Sequence, residues 1–311
     1  MWDLVFWTGL LGGALRLATP ILFAAIGETL AQRSGVLNVG IEGTMLVGAF
    51  LGFYGAVESG SPWIGLLAAM AGGALFGLLH AVFCVSLRVD QIVAGIALVV
   101  LGLGLSGFAY RLTLGAADRP PDAPTFDRLD LGMLGRLDFV GPALFGHHAL
   151  VYTGIGAALA LCWFLYRTAP GLEIRAIGES PAAADAVGVH VARTRYACTI
   201  FGGVMAGIGG AYLSIGQVGG FVENMVSGRG FIAIACVVFG RWNPLGAMLA
   251  ALFFGLVDAA QIRLQVLNPD IPYQFFVMLP YVLAVGFLIL FAGRARMPAA
   301  LGIPFFGGRR R

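Results

Sequence analysis

Ala169-Pro-Gly-Leu-Glu-Ile-Arg-Ala-Ile-Gly-Glu-Ser-Pro-Ala-Ala-Ala-Asp-Ala-Val-Gly-Val-His-Val-Ala-Arg-Thr-Arg195 is a mixed-charge island in an oily chain. The apolar run Ala149–Tyr166 ends just before it, and the run Tyr196–Val218 begins just after it. Each run is close to the ~20 residues that a helix needs to cross a bilayer. A short polar segment held between two spans reads as a surface shown to a partner.

The rest of the chain extends this pattern. It is 59% hydrophobic and 11% charged, with a mean hydropathy of +0.89. Soluble domains carry about 25% charged residues. The apolar stretches are continuous rather than alternating, which excludes a membrane barrel and predicts an all-α polytopic membrane protein. The chain reads as one transmembrane domain over residues 1–311, with about 8–10 membrane helices. Met1-Trp-Asp-Leu4 lacks the basic start of a secretory signal, so the first span is expected to be retained. The spans read as Val5–Thr29, Val39–Val57, Trp63–Leu87, Ile92–Tyr110, Ala149–Tyr166, Tyr196–Val218, Gly230–Gly240, Gly246–Ile262 and Tyr273–Phe291. Gly230–Gly240 is too short to cross alone and reads as a broken or re-entrant segment, which lipid tolerates only where protein or a cavity surrounds the backbone.

All 19 basic residues are Arg, and their placement sets the orientation. With the island inside, Arg33, Arg88, Arg167, Arg175, Arg193, Arg195, Arg241, Arg294, Arg296 and Arg309–Arg311 all fall on the cytoplasmic side, as the positive-inside rule demands. The N-terminus is then outside and the C-terminus inside. The cytoplasmic segment covers about 169–195, and an external loop covers about 112–148. In that loop Arg119, Arg128 and Arg136 are offset by Asp118, Asp122, Asp127, Asp130 and Asp138. Arg309–Arg311 reads as an anchor at an anionic leaflet rather than a nucleic-acid site. Without Lys there is no Walker A loop, so this chain is not expected to hydrolyse ATP itself. Cys84, Cys162, Cys198 and Cys236 lie singly in apolar runs, without metal or redox spacing.

Chemistry-bearing motifs are few. Gly102-Leu-Gly-Leu-Ser-Gly107 has dinucleotide-loop spacing but lies within a span, where helix packing explains it. Gly202, Gly203, Ala206, Gly207 and Gly210 make a similar small-residue face. His147-His148 lacks the further ligands a metal centre needs. Polar residues at membrane depth are costly and therefore informative: Glu28, Glu42, His80 and Asp258, with Arg16, Asn38, Gln91, Gln217, Gln261 and Gln274. They either line a substrate pathway or pair between helices, for instance a carboxylate with Arg16 or His80. The Gly- and Asn-containing stretch Glu28–Thr44 reads either as an unwound, pathway-lining segment or as a cytoplasmic turn before a capped helix. Gly77-Leu-Leu-His-Ala81 and Gly255-Leu-Val-Asp-Ala259, each downstream of a proline-led apolar run, share a pattern that suggests an internal repeat.

Three ordered motifs carry a family resemblance. Gly27-Glu28 through Ala49, with its core Gln32-Arg-Ser-Gly-Val-Leu-Asn-Val-Gly-Ile-Glu-Gly43, resembles the N-terminal signature of ABC importer permeases of the sugar, nucleoside and branched-chain amino acid group. It is most similar to the nucleoside branch, although Gln32 stands where Glu is common. Gly171–Val189 is similar to that group's cytoplasmic coupling segment. Gly228-Arg-Gly-Phe-Ile-Ala-Ile-Ala235 and Phe239-Gly-Arg-Trp-Asn-Pro-Leu-Gly246 resemble its C-terminal signature.

The resemblance implies a multi-pass permease of the bacterial cytoplasmic (inner) membrane that translocates nucleosides by ATP-driven alternating access. It implies cytoplasmic ATP-binding subunits, an extracytoplasmic substrate-binding protein and a second, non-identical permease subunit. It implies no cofactor in this chain, since ATP and Mg²⁺ would sit on the partner subunits. The coupling residues would be Gly178, Glu179, Ser180, Pro181, Ala184 and Gly188. The island's own residues agree, because Ser180 followed by Pro181 predicts a capped short helix between Gly178 and Gly188, a knob on two hinges. Asn38, Glu42, Gln91 and Phe231 are the candidate pathway residues, since a nucleoside base calls for aromatic stacking and amide hydrogen bonds. Two alternatives stay open: the same machine with a monosaccharide or branched-chain amino acid as cargo, and a proton-coupled transporter relaying through Glu42, His80 or Asp258.

Overall fold

The computed structural model describes residues 4–115, 121–127, 129, 141–267, 271–291 and 296–307. Among these the long regular elements are all helices, in the order α1 (Leu4–Arg33), α2 (Ile41–Ser59), α3 (Pro62–Ala81), α4 (Gln91–Leu114), α5 (Ala149–Arg167), α6 (Ala169–Glu179), α7 (Pro181–Ala186), α8 (Val191–Ala211), α9 (Arg229–Phe239), α10 (Pro244–Leu267), α11 (Tyr273–Val277) and α12 (Leu279–Phe291). Wide π-helical turns extend α3 over Val82–Ser86 and α8 over Tyr212–Val218. With those extensions α1, α3, α4, α5, α8 and α10 are long and apolar enough to cross a membrane. The chain is an all-α polytopic membrane protein.

Several boundaries differ from the sequence expectation: α10 reaches Leu267 rather than Ile262, and the span expected over Tyr273–Phe291 is two helices, α11 and α12. α1 runs past Thr29 to Arg33, and α8 begins at Val191 rather than Tyr196. Hydropathy falls at Gln32, Arg33, Arg193 and Arg195, but the helices continue: Gln32 bonds the Trp242 side chain, Arg33 and Arg195 bond backbone carbonyls, and Arg193 is exposed. The short segment at Gly230–Gly240 is α9, preceded by non-helical residues 219–228. At 1.5 Å per residue, its 11 residues reach about 16 Å, half a bilayer.

α1 and α8 form a central antiparallel pair built on glycine. A Cβ at Gly27 would come 2.8 Å from the carbonyl oxygen of Gly202, and one at Gly209 would come 2.7 Å from that of Pro20. α3 runs antiparallel along α8, where Gly73 meets Gly203 and Gly77 meets Thr199 and Ile200. α10 runs antiparallel along α1, where Gly255 meets Ala14 and Ala18. α2 leans on α8, and α9 leans on α1. The two halves therefore mirror each other: a long helix, a chain break, then two helices of which the second packs on the other half's long helix. Since α1 and α8 point in opposite directions, the halves are inverted, as in many transporters. Gly77 and Gly255, the marked residues of the sequence repeat, hold equivalent contacts.

Arg33, Arg88, Arg175 and Arg195 collect at one end, whereas Arg16 and Arg263 line a cavity at the other. The Arg33 Nε donates to Trp242 O at 2.6 Å, and the Arg195 Nε donates to Ser34 O at 3.1 Å. Arg175 lies over the Tyr166 ring and Arg88 over the Phe306 ring, at 5.0 and 4.5 Å. By the positive-inside rule this is the cytoplasmic end. Arg294, Arg309–Arg311, and the external Arg119, Arg128, Arg136, Asp118, Asp130 and Asp138 lie outside the described residues.

Apolar contact gives little drive to helix association in lipid, so close backbone approach carries the α3–α8 contact. Gly203→Leu would force its side chain into the Gly73 carbonyl and Gly77, both backbone. It should destabilise the protein by about 3 kcal/mol, read as a lower unfolding midpoint in detergent. Gly104→Ala, with nothing within 4 Å of its Cβ, should be neutral or gain up to ~1 kcal/mol.

Candidate functional site

Two non-helical stretches lie between helices of the bundle, the first buried and the second partly exposed, and their inward-facing amides need partners from the protein, because lipid supplies none. The first break is residues 34–40, between α1 and α2. Gly35 ends α1 with a φ of +90°, a left-handed cap that glycine adopts without strain. Beyond it, the Asn38 amide donates to Glu28 Oε1 at 2.9 Å, and the Leu37 amide donates to Gln91 Oε1 at 2.7 Å. His80 Nε2 lies 2.9 Å from Leu37 O, which requires the Nε2–H tautomer. Helices α1, α3, α4 and α8 thus all hold this strand of chain. Glu28 Oε2, Asn38 Oδ1, His80 Nδ1 and Gln91 Nε2 are buried beside it with no hydrogen-bond partner among the described residues.

The second break is residues 219–228, ahead of α9. Phe221 anchors it among Phe50, Phe53 and Tyr110. Arg111 of α4 grips both oxygens of Glu223 at 2.8 and 2.9 Å, and these hydrogen bonds hold that carboxyl below its usual range. The N-cap of α9 is Gly228, which has no side chain to cap with. Glu42 from α2 supplies the cap instead. Its Oε1 accepts from the Gly228 amide and its Oε2 from the Gly230 amide, both at 2.7 Å. A carboxylate at that position also opposes the positive end of the helix dipole.

The other end of α9 is tied to α1. The Trp242 Nε1–H donates to Gln32 Oε1 at 2.6 Å, and Gln32 Nε2 donates to Glu28 Oε1 at 2.8 Å. Gln32 therefore accepts from one side and donates to the other, which a carboxylate there could do only when protonated. One polar chain joins Trp242, Gln32, Glu28 and Asn38, and so links the first break to the C-terminal end of α9.

The cytoplasmic island is two helices rather than one. Thr168 caps α6, its Oγ1 accepting from the Gly171 amide at 3.2 Å. Ser180 caps α7, with Pro181 in its first turn. Gly188 closes α7 with a φ of +93°. Gly178 is packed rather than free: a Cβ there would fall on Arg33 O, and Gly178 O accepts from the Ala300 amide at 2.8 Å. Ile177, Ala184 and Val191 bury one face of the pair, while Glu179, Ser180 and Gly188 are exposed and Val187 is 81% exposed. The result is a knob with a fixed root and an exposed tip.

At the opposite end a cavity of about 630 Å³ opens between α1, α8 and α10, lined by Phe6, Arg16, His148, Gln217 and Arg263 among others. Gln217 Nε2 donates to Arg16 O at 2.7 Å across it.

The candidate residues fall into three places. Asn38 and Gln91 meet at the first break. Glu42 is at the second, with Phe231 beside it on α9 and 46% exposed. Gly178, Glu179, Ser180, Pro181, Ala184 and Gly188 make the knob. The anticipated pairing of a carboxylate with Arg16 or His80 does not occur; Glu28 and Glu42 take backbone amides, and Arg16 lines the external cavity. Trp242, Arg195 and residues 296–307, to which the sequence reading gave no role as site residues, hold the first break, the far end of α9 and the knob's root.

The family described as the branched-chain amino acid transport system permease component matches residues 10–292. The guanosine ABC transporter permease protein NupQ of Bacillus subtilis is 40% identical over 94% of this chain and 95% of its own length. The nucleoside ABC transporter permease protein NupC of Lactococcus lactis is 35% identical over 93% of each. The putative glucose ABC transporter permease protein TsgC13 of Haloferax volcanii is 39% identical over 86% of this chain and 82% of its own. No solved structure matches the chain.

Removing the α9 cap leaves two buried amides unpaired. Glu42→Ala should therefore destabilise the protein by roughly 3 kcal/mol, and Glu42→Gln by about half as much. Denaturant unfolding in detergent measures both, and equal midpoints for Glu42→Ala and the wild type would refute the capping role.

Proposed function

The chain belongs to the family of branched-chain amino acid transport system permeases, and we propose that it is the membrane subunit of a binding-protein-dependent ABC importer whose cargo is nucleosides. The observation that carries the cargo is the near full-length similarity, at 40% and 35% identity, to permeases named for guanosine and nucleosides. The family implies ATP-binding subunits and a substrate-binding protein. On this reading the ATP-binding subunits sit on the α6–α7 knob, and a second, non-identical permease completes the membrane part. ATP and Mg²⁺ are held by the partner subunits.

The geometry supports transmission of a push. Glu179 and Ser180 are at the exposed tip, while Gly178 presses on the last carbonyl of α1. A force on α7 therefore reaches α1 at Arg33, next to the first break. From there the Gln32–Trp242 bond carries it to α9. Asn38, Glu42 and Gln91 set the shape of the pathway by holding the breaks, and Phe231 presents its ring for the base to stack on. Both oxygens of Glu42 accept backbone amides, so this carboxylate, one of the three groups a proton relay would use, has no free oxygen for it.

A monosaccharide cargo is the second reading, favoured by the 39% identity to a putative glucose permease. Uptake of labelled adenosine in cells with and without this gene separates the two. Loss of uptake on deletion, with competition by guanosine but not by ribose or leucine, is the result expected. Unchanged adenosine uptake alongside lost sugar uptake would move the cargo to a sugar. Glu179→Arg should insert normally and cut uptake at least about tenfold while the complex still hydrolyses ATP, the loss expected when ~1.4 kcal/mol of docking is removed. Phe231→Ala should raise the apparent KM roughly tenfold, and Phe231→Tyr should restore it.

A further inference from the structure

A cavity of about 380 Å³ lies at the cytoplasmic end, beside the knob and separate from the breaks. Its walls come from the end of α3 (Val85, Arg88), from α7 (Asp185), from the start of α8 (His190–Arg193 and Arg195) and from the segment after α12 (Phe305, Gly307). Three arginines and a histidine face one aspartate. The Arg195 side chain is 1% exposed. Its Nε and Nη1 donate to Ser34 O and Ile303 O, both at 3.1 Å, while Nη2 packs beside Gly35 with no acceptor among the described residues.

The backbone adds donors at the same spot. α8 is a long helix whose N-cap, His190, makes no side-chain cap. The Val191 amide is taken by Val189 O and the Thr194 amide by His190 O, whereas the amides of Ala192 and Arg193, between them, donate to no acceptor among the described residues. A helix N-terminus with free amides and three arginines lining one cavity are the chemistry of a phosphate site. Val85 and Phe305 give it an apolar wall.

We propose that this cavity binds a phosphate-bearing ligand, either the headgroup of an anionic lipid of the cytoplasmic leaflet or a soluble phosphate, and that the ligand stiffens the root of the knob. The bound phosphate would join the end of α3, the start of α8 and the segment after α12, three elements that converge on α7. The inference does not depend on the cargo.

The test uses the full chain in its assembled importer, reconstituted in nanodiscs of phosphatidylcholine or of phosphatidylcholine with phosphatidylglycerol. Lipid retention by native mass spectrometry and the unfolding midpoint are the readouts. The wild type should retain phosphatidylglycerol and unfold at a higher midpoint in its presence, or should gain the same rise from inorganic phosphate in neutral nanodiscs. The first result identifies a lipid source and the second a soluble one. Arg88→Gln with Arg193→Gln removes two exposed side chains without touching Arg195, and should weaken the effect by roughly 30-fold. Arg167→Gln, at the same end but away from the cavity, should not. Equal stabilisation of the double variant and the Arg167 variant would overturn the proposal. So would a wild type indifferent to both phosphatidylglycerol and phosphate.

Discussion

Two carboxylates binding backbone amides make the rest of this structure possible. A chain that stops being helical inside a membrane exposes N–H groups that neither lipid nor water can satisfy, at several kcal/mol each. Glu28 meets this need for the loop that follows α1, and Glu42 meets it for the half-helix α9. Each acts at a distance, Glu42 reaching amides 186 and 188 residues away in sequence. Once these bonds are made, α2 and α9 can begin within the bundle, and the helices around them can close.

The closing is done by glycine. α8 touches α1, α2 and α3 through positions where any Cβ would meet a backbone atom. Such contacts give van der Waals attraction over a long seam, the main source of helix association when the solvent is as apolar as the side chains. The inverted halves explain why the small residues recur: the seam between α3 and α8 has a counterpart between α1 and α10. The polar link from Trp242 through Gln32 to Glu28 then ties the first half's break to the far end of the other half's short helix.

Much of this was legible in the sequence. Hydropathy located the long spans and marked Gly230–Gly240 as too short. Ser180 and Pro181 foretold the capped α7, and Gly77 and Gly255 foretold the repeat. What was not legible is which partner each intramembrane polar group chooses. Composition suggests pairing Glu28 with Arg16 or His80, but a free amide is a stronger claimant, and no periodicity says where a free amide will be. Arg195 and Gln32 read as the ends of apolar runs, yet both are buried and bonded within helices. Gly178 read as a hinge because glycine permits motion; here it is needed because Arg33 O leaves no room for a side chain.

The segment that follows α12 has a consequence for how the protein is made. Its Ala300 amide bonds Gly178 O and its Gly302 amide bonds Gly35 O, so it underpins both the knob and the first break. Every helix of the bundle is synthesised before it. A nascent chain can therefore thread all its spans into the membrane while the coupling end is still unpinned. Translation order thus becomes a checkpoint: the ribosome must finish residues 296–307 before the cytoplasmic face is firm, and a chain stalled just short of them would be inserted but not yet fit for assembly.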